Sequence, residues 1–421
     1  MRILFPRVIL LFLLPVFIVY NARAQEFDLV IKQGHLIDPK NKIDRITDIA
    51  ISNGKIATVG TGLTDYKAKV VIDAKGMYVI PGIIDIHTHV FFGTEPDAYI
   101  SNSYASVPPD AFTFRSGVTT VVDAGSSGWR NFNVFKEQTI DRSETRVLAF
   151  LNIVGFGMKG GQMEQNLLDM DAELTSYVAN KYPDNIVGIK VAHYSGPEWD
   201  PVDRAIQAGK IAGIPVMIDF GGHTPPLSLE TLLLEKFRPG DIFTHAYAHV
   251  NGRIPVVDEN GNVRDYVREA QSKGIIFDVG HGGGSFLFEQ AIPALKQGFK
   301  PDAISTDLHT GSMNGGMKDI LNVASKFLNL GMTIQEVVEC LTWSPARIIH
   351  KEELGHLSEG AVADPAIINA ESGDFGFVDT QGWKMKGTQR LVCELTIRNG
   401  KVVWDLNGIS KADWNFDLSG K

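Results

Sequence analysis

Short apolar runs of strand character recur through the middle of the chain, and helical stretches separate them. The runs are almost continuously apolar, which is typical of parallel strands that are buried on both faces. Each run except the first is followed by an evident helical candidate. The eight runs are 82–89, 119–125, 146–153, 186–192, 215–221, 241–247, 275–282 and 303–309. This alternation predicts an α/β fold, specifically a (β/α)₈ barrel of the TIM type.

The two ends of the chain show alternating apolar positions and tight turns instead. Asn53-Gly54 and Asn399-Gly400 are pairs that favour two-residue hairpin turns. Because both ends are rich in hairpins, we expect 25–80 and 355–410 to form one small β-sandwich. The barrel would then occupy 81–354. An open doubly wound sheet is the alternative, but the glycine fingerprint that follows the first strand of nucleotide-binding examples is absent.

The first residues have the pattern of a secretory signal peptide. Two arginines precede an apolar run at 8–20, which is shorter than the ~20 residues that a membrane-spanning helix needs. Ala22-Arg23-Ala24 has the small-x-small pattern of a cleavage site. We therefore expect 1–24 to be removed before Gln25. The mature protein would be secreted or periplasmic, with no attachment to a membrane.

Composition restricts the partners of the chain. Its 421 residues are 44% hydrophobic and carry a formal net charge of −9. An acidic chain without a basic stripe is a poor partner for nucleic acid, so we expect a small-molecule substrate. The sequence leaves a homo-oligomer open. Cys340 and Cys393 lie in different predicted elements without metal-ligand spacing, and we expect them to be buried thiols.

Residues whose side chains can bind metals or transfer protons lie at the carboxyl ends of six of the predicted strands. In strand order they are His87 and His89, then Lys190, then Asp219 with His223 just beyond, then His245, then His281, and finally Asp307 and His309. In a barrel of this type all these ends meet at one rim, where the active site lies. The repeated coincidence predicts a single site.

The first strand and the fourth strand indicate metal chemistry. Residues i and i+2 of a strand point to the same face, so His87 and His89 can reach one ion, and imidazole is a good zinc ligand. Lys190 lies inside an apolar strand, where burial lowers the pKa of its amine towards the free base. A free amine can take up carbon dioxide and become a carbamate, an anion that can bridge two cations.

The remaining strand ends suggest catalytic and substrate-binding roles. We expect Asp307 to accept the proton of a metal-activated hydroxide and to pass it to the leaving group. His245 would complete the ligands of a second ion. His281 would contact the substrate or polarise its carbonyl group, and His309 would also contact the substrate.

Seven motifs together resemble the amidohydrolase superfamily, and most of all its amidohydrolase/deacetylase subgroup, which is often described as dihydroorotase-like. They are PGIIDIHTHV, SGVTTVVDAG, GIKV, THAY, FDVGHG, STDLH and LTWSPARI, and the similarity runs from about 27 to 405. The resemblance implies two divalent cations, usually zinc. His87 and His89 would hold the more buried ion, and a carboxylated Lys190 would bridge to the second. The implied reaction is hydrolysis of an amide, cyclic amide or ester.

Two positions depart from the subgroup pattern. Asp219 stands where a histidine usually binds the second ion. Asp219 could bind directly and favour a harder ion such as manganese, His223 could fold back as a substitute ligand, or the second ion could bind weakly or not at all. The last case would suit a metal-poor protein of the same fold that binds a ligand without turnover. Pro365, which has no N–H, is expected at the start or edge of a strand.

Overall fold

The computed structural model describes residues 27–63, 67–92, 103 and 105–414. The predicted signal segment 1–24 and its cleavage before Gln25 lie outside these ranges and stay a prediction. Within the described ranges, no helix combines the length and apolar character that crossing a membrane requires.

Strands occupy both ends of the described chain and alternate with helices between them. The strands are β1 (Phe27–Asp38), β2 (Ile43–Ser52), β3 (Lys55–Gly60), β4 (Ala68–Asp73), β5 (Tyr78–Pro81), β6 (Ile83–Thr88), β7 (Val118–Gly128), β8 (Arg146–Asn152), β9 (Ile186–Val191), β10 (Val216–Ile218), β11 (Ile242–Phe243), β12 (Ile276–Phe277), β13 (Pro365–Val378), β14 (Lys384–Arg398) and β15 (Lys401–Asp405). The helices are α1 (Phe132–Gln138), α2 (Ala172–Lys181), α3 (Asp200–Ala212), α4 (Leu229–Thr231), α5 (Asp265–Ser272), α6 (Phe288–Lys296), α7 (Ile320–Asn329), α8 (Ile334–Leu341) and α9 (Trp343–Ile348).

Seven parallel strands form a curled central sheet in the order β12-β11-β10-β9-β8-β7-β6. Every residue of β6, β7 and β9 is buried, as the continuous apolar runs predicted. The eighth predicted strand, 303–309, is an irregular segment that forms single parallel bridges. Ala303 bridges Asp278 just after β12, and Leu308 bridges Thr88 in β6. This segment therefore contacts both the last and the first strand of the sheet.

The helices that return the chain between strands begin and end where local chemistry favours it. In α3, Pro201 lies in the first turn, where its missing N–H costs no hydrogen bond, and Gly213 ends the helix in the left-handed conformation. The face of α3 that carries Val202 and Ile206 is buried. Short helices of this kind keep neighbouring strands parallel, so that their carboxyl ends lie at the same edge of the sheet.

The chain ends meet in one connected sheet in the order β15-β14-β13-β5-β1-β2-β3, with β4 beside β1. The association of both ends was predicted, but the pairing runs through a single sheet rather than two separate ones. Asn53 and Asn399 adopt positive φ before their glycines, as the predicted hairpin turns require. Pro365 is the first residue of β13, which confirms its expected place at a strand start. Both cysteines are buried and free.

Gly188, in the middle of β9, leaves no room for a side chain. A Cβ there would lie 2.3 Å from the ring of Phe150 and 2.9 Å from the carbonyl oxygen of Pro215. We expect Gly188→Ala to lower the free energy of unfolding by about 1–3 kcal/mol, because overpacking forces neighbours to shift. Gly60→Ala is the matched control, since a Cβ at that strand position meets no atom of the described residues within 4 Å. Equal unfolding midpoints for both variants in denaturant would contradict the close packing of β8, β9 and β10.

Candidate metal centre

Most of the predicted site residues come together where the central strands end. His87 lies in β6 and Lys190 lies in β9, and both are almost completely buried. Asp219 directly follows β10, and His245 lies two residues after β11. The irregular segment after β12 brings Asp307 to the same place, where its N–H donates to the carbonyl oxygen of His87 at 2.7 Å.

Among the described residues, His87, His89 and Asp307 form a compact cluster of possible metal ligands. One ligand atom from each residue lies within 4.8 Å of the others, and all three residues are buried. The carboxylate Oδ1 of Asp307 is 3.0 Å from Nε2 of His89 and 3.6 Å from Nε2 of His87. Two imidazole nitrogens and one carboxylate oxygen are a donor set that suits zinc and other divalent cations.

A hydrogen-bonded chain fixes the tautomer of His87. The hydroxyl of Thr244 donates to Oδ2 of Asp278 at 2.7 Å, so its oxygen is left to accept from Nδ1–H of His87 at 2.8 Å. The other ring nitrogen, Nε2, therefore presents its lone pair to the cluster. Burial and the nearby Lys190 hold the pKa of His87 well below its usual range, which keeps the ring neutral and able to bind a cation.

His245 and His89 are held in a similar way. Nδ1 of His245 donates to the carbonyl oxygen of Gly280 at 2.6 Å, which leaves Nε2 as the free nitrogen. Nδ1 of His89 lies 3.2 Å from the hydroxyl oxygen of Ser126. In each case the protein engages Nδ1 and directs Nε2 towards a carboxylate, as outer hydrogen bonds do for histidines that bind metals.

Lys190 is a buried amine that lacks a close counter-charge. Its Nζ is 3.4 Å from Nε2 of His87, and no carboxylate of a described residue forms an ion pair with it. Burial lowers the pKa of Lys190 against the attraction of Asp219 and Asp307. Gly125, at φ +91°, makes room for the side chain, since a Cβ there would lie 2.6 Å from Cγ of Lys190. The amine is thus shifted towards the nucleophilic free base.

Asp219 lies between two imidazoles and a guanidinium group. Its Oδ2 is 3.5 Å from Nε2 of His245 and 3.7 Å from Nε2 of His193, and its Oδ1 is 3.8 Å from the guanidinium of Arg253. Burial alone would raise the pKa of Asp219, but His245, His193 and Lys190 outweigh burial and hold the pKa well below its usual range. The carboxylate is therefore ionised and next to two imidazole nitrogens.

His223 does not join this cluster. Its Nδ1 donates to the carbonyl oxygen of Gly196 at 3.0 Å, and its ring packs on Phe220 with centroids 4.8 Å apart. Its Nε2 is buried, and no hydrogen-bond partner for it occurs in the described ranges. The contacts of His223 do not support the expectation that it folds back as a substitute ligand.

His281 is placed differently from the expectation. Its ring is fully buried and stacks on Phe286, with centroids 4.6 Å apart. Nδ1 donates to the carbonyl oxygen of Gly282 at 3.0 Å, and Nε2 accepts from the ammonium of Lys326 at 2.5 Å. With both nitrogens engaged inside the protein, the ring has none to offer a substrate. The contacts of His281 therefore do not support the catalytic and substrate-binding roles expected from the sequence.

His309 is placed where substrate contact is feasible. Its Nε2 is 3.7 Å from Oδ2 of Asp307, and its side chain is 22% exposed. It lies beside the ring of His89, with centroids 6.2 Å apart. His309 therefore borders the cluster on a side that solvent reaches.

Sequence reasoning missed four residues of this region. Thr244 and Asp278 fix the first histidine, Arg253 borders Asp219, and His193 faces the other oxygen of that carboxylate. Asp278 lies in the predicted seventh strand just ahead of His281, which was a usable signal. His193 and Arg253 lie in loops, where the sequence carries no periodicity that points to the site.

Comparisons with known proteins find relatives over most of the chain. The chain is 34% identical over 349 residues to a deacetylase of Brucella anthropi, covering 80% of this chain and 83% of that protein. It is 35% identical over 346 residues to a deacetylase of Agrobacterium fabrum, covering 80% and 81%. Solved structures of an adenine deaminase and a dihydroorotase match 90% of this chain and 100% and 99% of their own, with TM-scores of 0.79 and 0.78 and 28% identity each. No protein-family model matches the chain.

The chain belongs to the amidohydrolase superfamily, whose barrel proteins share its curled parallel sheet. Within that superfamily it is a metal-dependent hydrolase of the amidohydrolase/deacetylase type. The relatives support a hydrolase that acts on carbon–nitrogen bonds.

The Thr244 hydroxyl can be removed with little change of shape. We expect Thr244→Val to weaken zinc binding about 10- to 100-fold, because outer hydrogen bonds orient the ligand and fix its tautomer. Chelator competition measures the zinc Kd. Thr175→Val is the control, since the Thr175 hydroxyl is also buried but has no partner among the described residues. An unchanged Kd for Thr244→Val would show that Thr244 does not control His87.

Proposed function

We propose that this protein hydrolyses an acyl amide of a small molecule, using two divalent cations held at the carboxyl end of the central sheet. The observation that carries the proposal is the cluster of His87, His89 and Asp307 next to the buried amine of Lys190, which forms no ion pair with a described carboxylate. Relatives that are named deacetylases support the removal of an acyl group, and a relative that is named a dihydroorotase favours an amide over an ester.

We also propose that 303–309 closes the central sheet as an eighth strand of a barrel. The single bridges to Asp278 and Thr88 support this, as does the hydrogen bond from the N–H of His89 to the carbonyl oxygen of Leu308 at 2.8 Å. Closure would explain why Asp307, which is distant in sequence, lies beside the first histidine pair.

The chain's own donors suit two cations. His87, His89 and Asp307 would hold the first, and Asp219 and His245 would hold the second. A carbamate on Lys190 would bridge them. Zinc suits the first donor set, and Asp219, a carboxylate where the subgroup has a histidine, also accommodates manganese in the second. When bound, such cations lower the pKa of coordinated water and stabilise negative charge on a carbonyl oxygen.

Asp307 is arranged to move a proton. Burial would raise the pKa of its carboxyl, but hydrogen bonding to His89 and the other imidazoles lower it, so the group is an ionised base. One oxygen faces His89, and the other faces His309. Asp307 would take a proton from the attacking water and deliver it to the leaving nitrogen. His309 would bind a polar group of the substrate.

A second candidate function is ligand binding without turnover. The observation that favours it is Arg253, whose guanidinium lies 3.8 Å from Asp219 and competes with a cation for that carboxylate. A relative that holds fewer metal ions would then bind a small molecule in the same site. A mononuclear deaminase is a weaker candidate, because Lys190 has no evident role in a one-ion centre.

The first test is turnover by the zinc-loaded and manganese-loaded protein on N-acyl amino acids, cyclic amides and acyl esters. We expect hydrolysis of an N-acyl substrate, and a fall in kcat of about 10²- to 10⁴-fold for Asp307→Asn, because general acid–base catalysis is lost. Asp374→Asn, an exposed position in β13, is the control. Full metal occupancy without turnover of any substrate would favour the ligand-binding protein instead.

The second test addresses the carbamate. Lys190→Ala should lose hydrolysis, and short carboxylic acids such as formate or propionate should restore part of it by supplying the missing bridging anion. Asp307→Asn should not respond to these acids, because its defect is in proton transfer. Intact-mass measurement should also find one added carbon dioxide on the native chain. If the acids fail to restore activity and the native mass shows no addition, Lys190 is not carboxylated.

A further inference from the structure

We propose that His193 supplies an imidazole ligand to the second cation, together with Asp219 and His245, and that Glu164 positions it. This inference rests on the proposed function above. In the subgroup that this chain resembles, a histidine after β10 binds the second ion, and here Asp219 stands at that position. We assign the role of that histidine to a residue on the loop after β9. Neither the spacing of the motifs nor the strand ends predict it.

The first support is the position of the ring. Nε2 of His193 is 3.7 Å from Oδ2 of Asp219, and the same oxygen is 3.5 Å from Nε2 of His245. The three side chains follow the consecutive strands β9, β10 and β11. One carboxylate oxygen is thus shared by two imidazole nitrogens, which are the atoms that a divalent cation would take as ligands.

The second support is the hydrogen bond on the far side of the ring. Nδ1 of His193 donates to Oε2 of Glu164 at 2.8 Å, so Nε2 is the nitrogen that faces Asp219. Glu164 is only 1% exposed, which is unusual for a glutamate, and its other oxygen accepts from the N–H of Gly160 at 2.6 Å. Carboxylates that orient histidine ligands in this way are typical of metal sites.

The third support is the fixed backbone of the loop. His193 has φ +56°, a left-handed conformation that is uncommon outside glycine, and His245 and Asp307 share this feature. The side chain of Gln165 holds the loop at two points. Its amide donates to the carbonyl oxygen of His193 at 2.6 Å, and its oxygen accepts from the N–H of Ser195 at 2.9 Å. The direction of the imidazole is therefore set before any ion arrives.

The donor set also accounts for the departure at β10. The subgroup that this chain resembles has a histidine there, so its second ion has two imidazole ligands. With Asp219 in that place, His193 restores the second imidazole and the aspartate adds a carboxylate. The competing explanation is an ion-pair network in which His193 only links Glu164 to Asp219, while Arg253 neutralises the other oxygen of Asp219.

The chain offers a matched control for this pair. His249 also engages a glutamate through Nδ1, 2.7 Å from Glu289, and its ring is about as exposed as that of His193, but Glu289 is half exposed whereas Glu164 is buried. The experiment measures zinc per chain by elemental analysis and the Kd of each ion by chelator competition. We expect two ions for the native protein and for His249→Ala, and one for His193→Ala. Glu164→Gln should weaken the second ion about 10- to 100-fold, and Glu289→Gln should leave it unchanged.

The outcomes separate this inference from the proposed function. Fewer than two ions on the native protein would remove the two-cation centre, and the inference with it. The inference would be overturned, and the proposed function kept, by the following pair of results: His193→Ala binds two ions with unchanged Kd, and His245→Ala loses one ion. The unfolding midpoint of each metal-free variant checks folding. If His193→Ala does not fold, His193→Gln and Glu164→Gln decide in the same way, and the absorption spectrum of the cobalt-loaded protein reports the lost nitrogen ligand.

Discussion

The structure of the site depends on one costly interaction, the burial of the Lys190 amine among strands that exclude water. A charged ammonium loses its hydration there, so its surroundings must either neutralise it or favour the free base. The carboxylates of Asp219 and Asp307 are near enough to attract it but do not pair with it. Gly125 gives the side chain its space. The other groups of the site are arranged around this amine.

A common rule governs the histidines. The protein engages Nδ1 of each ring with an oxygen, which is a hydroxyl for His87 and His89, a backbone carbonyl for His245 and a carboxylate for His193. The four Nε2 atoms then face the carboxylates of Asp307 and Asp219. His281 breaks the rule, because Lys326 occupies its Nε2. His281 therefore differs from the other four histidines because its Nε2 already accepts a hydrogen bond and cannot bind a cation.

The sequence predicts what depends on periodicity and covalent geometry. Buried parallel strands, the hairpin turns, the strand start at Pro365 and the strand-end position of His87 all follow from local patterns. What it misses depends on contacts between distant segments. The role of His281 depends on Lys326 in α7, and the orientation of His193 depends on Glu164 in a preceding loop. The eighth strand was predicted at full length but forms only single bridges, because its backbone turns to bring Asp307 inward.

The shared sheet of the two chain ends has a consequence for biosynthesis. β5 pairs with β13, so the edge that β5 presents is completed only by a segment made almost three hundred residues later. A nascent or prematurely terminated chain would expose that edge as a row of unsatisfied amides and carbonyls, a surface prone to aggregation. A stop codon between Asp307 and β13 would thus yield an insoluble fragment, even though all the proposed metal ligands are present. Soluble protein would therefore be obtained only from completely translated chains.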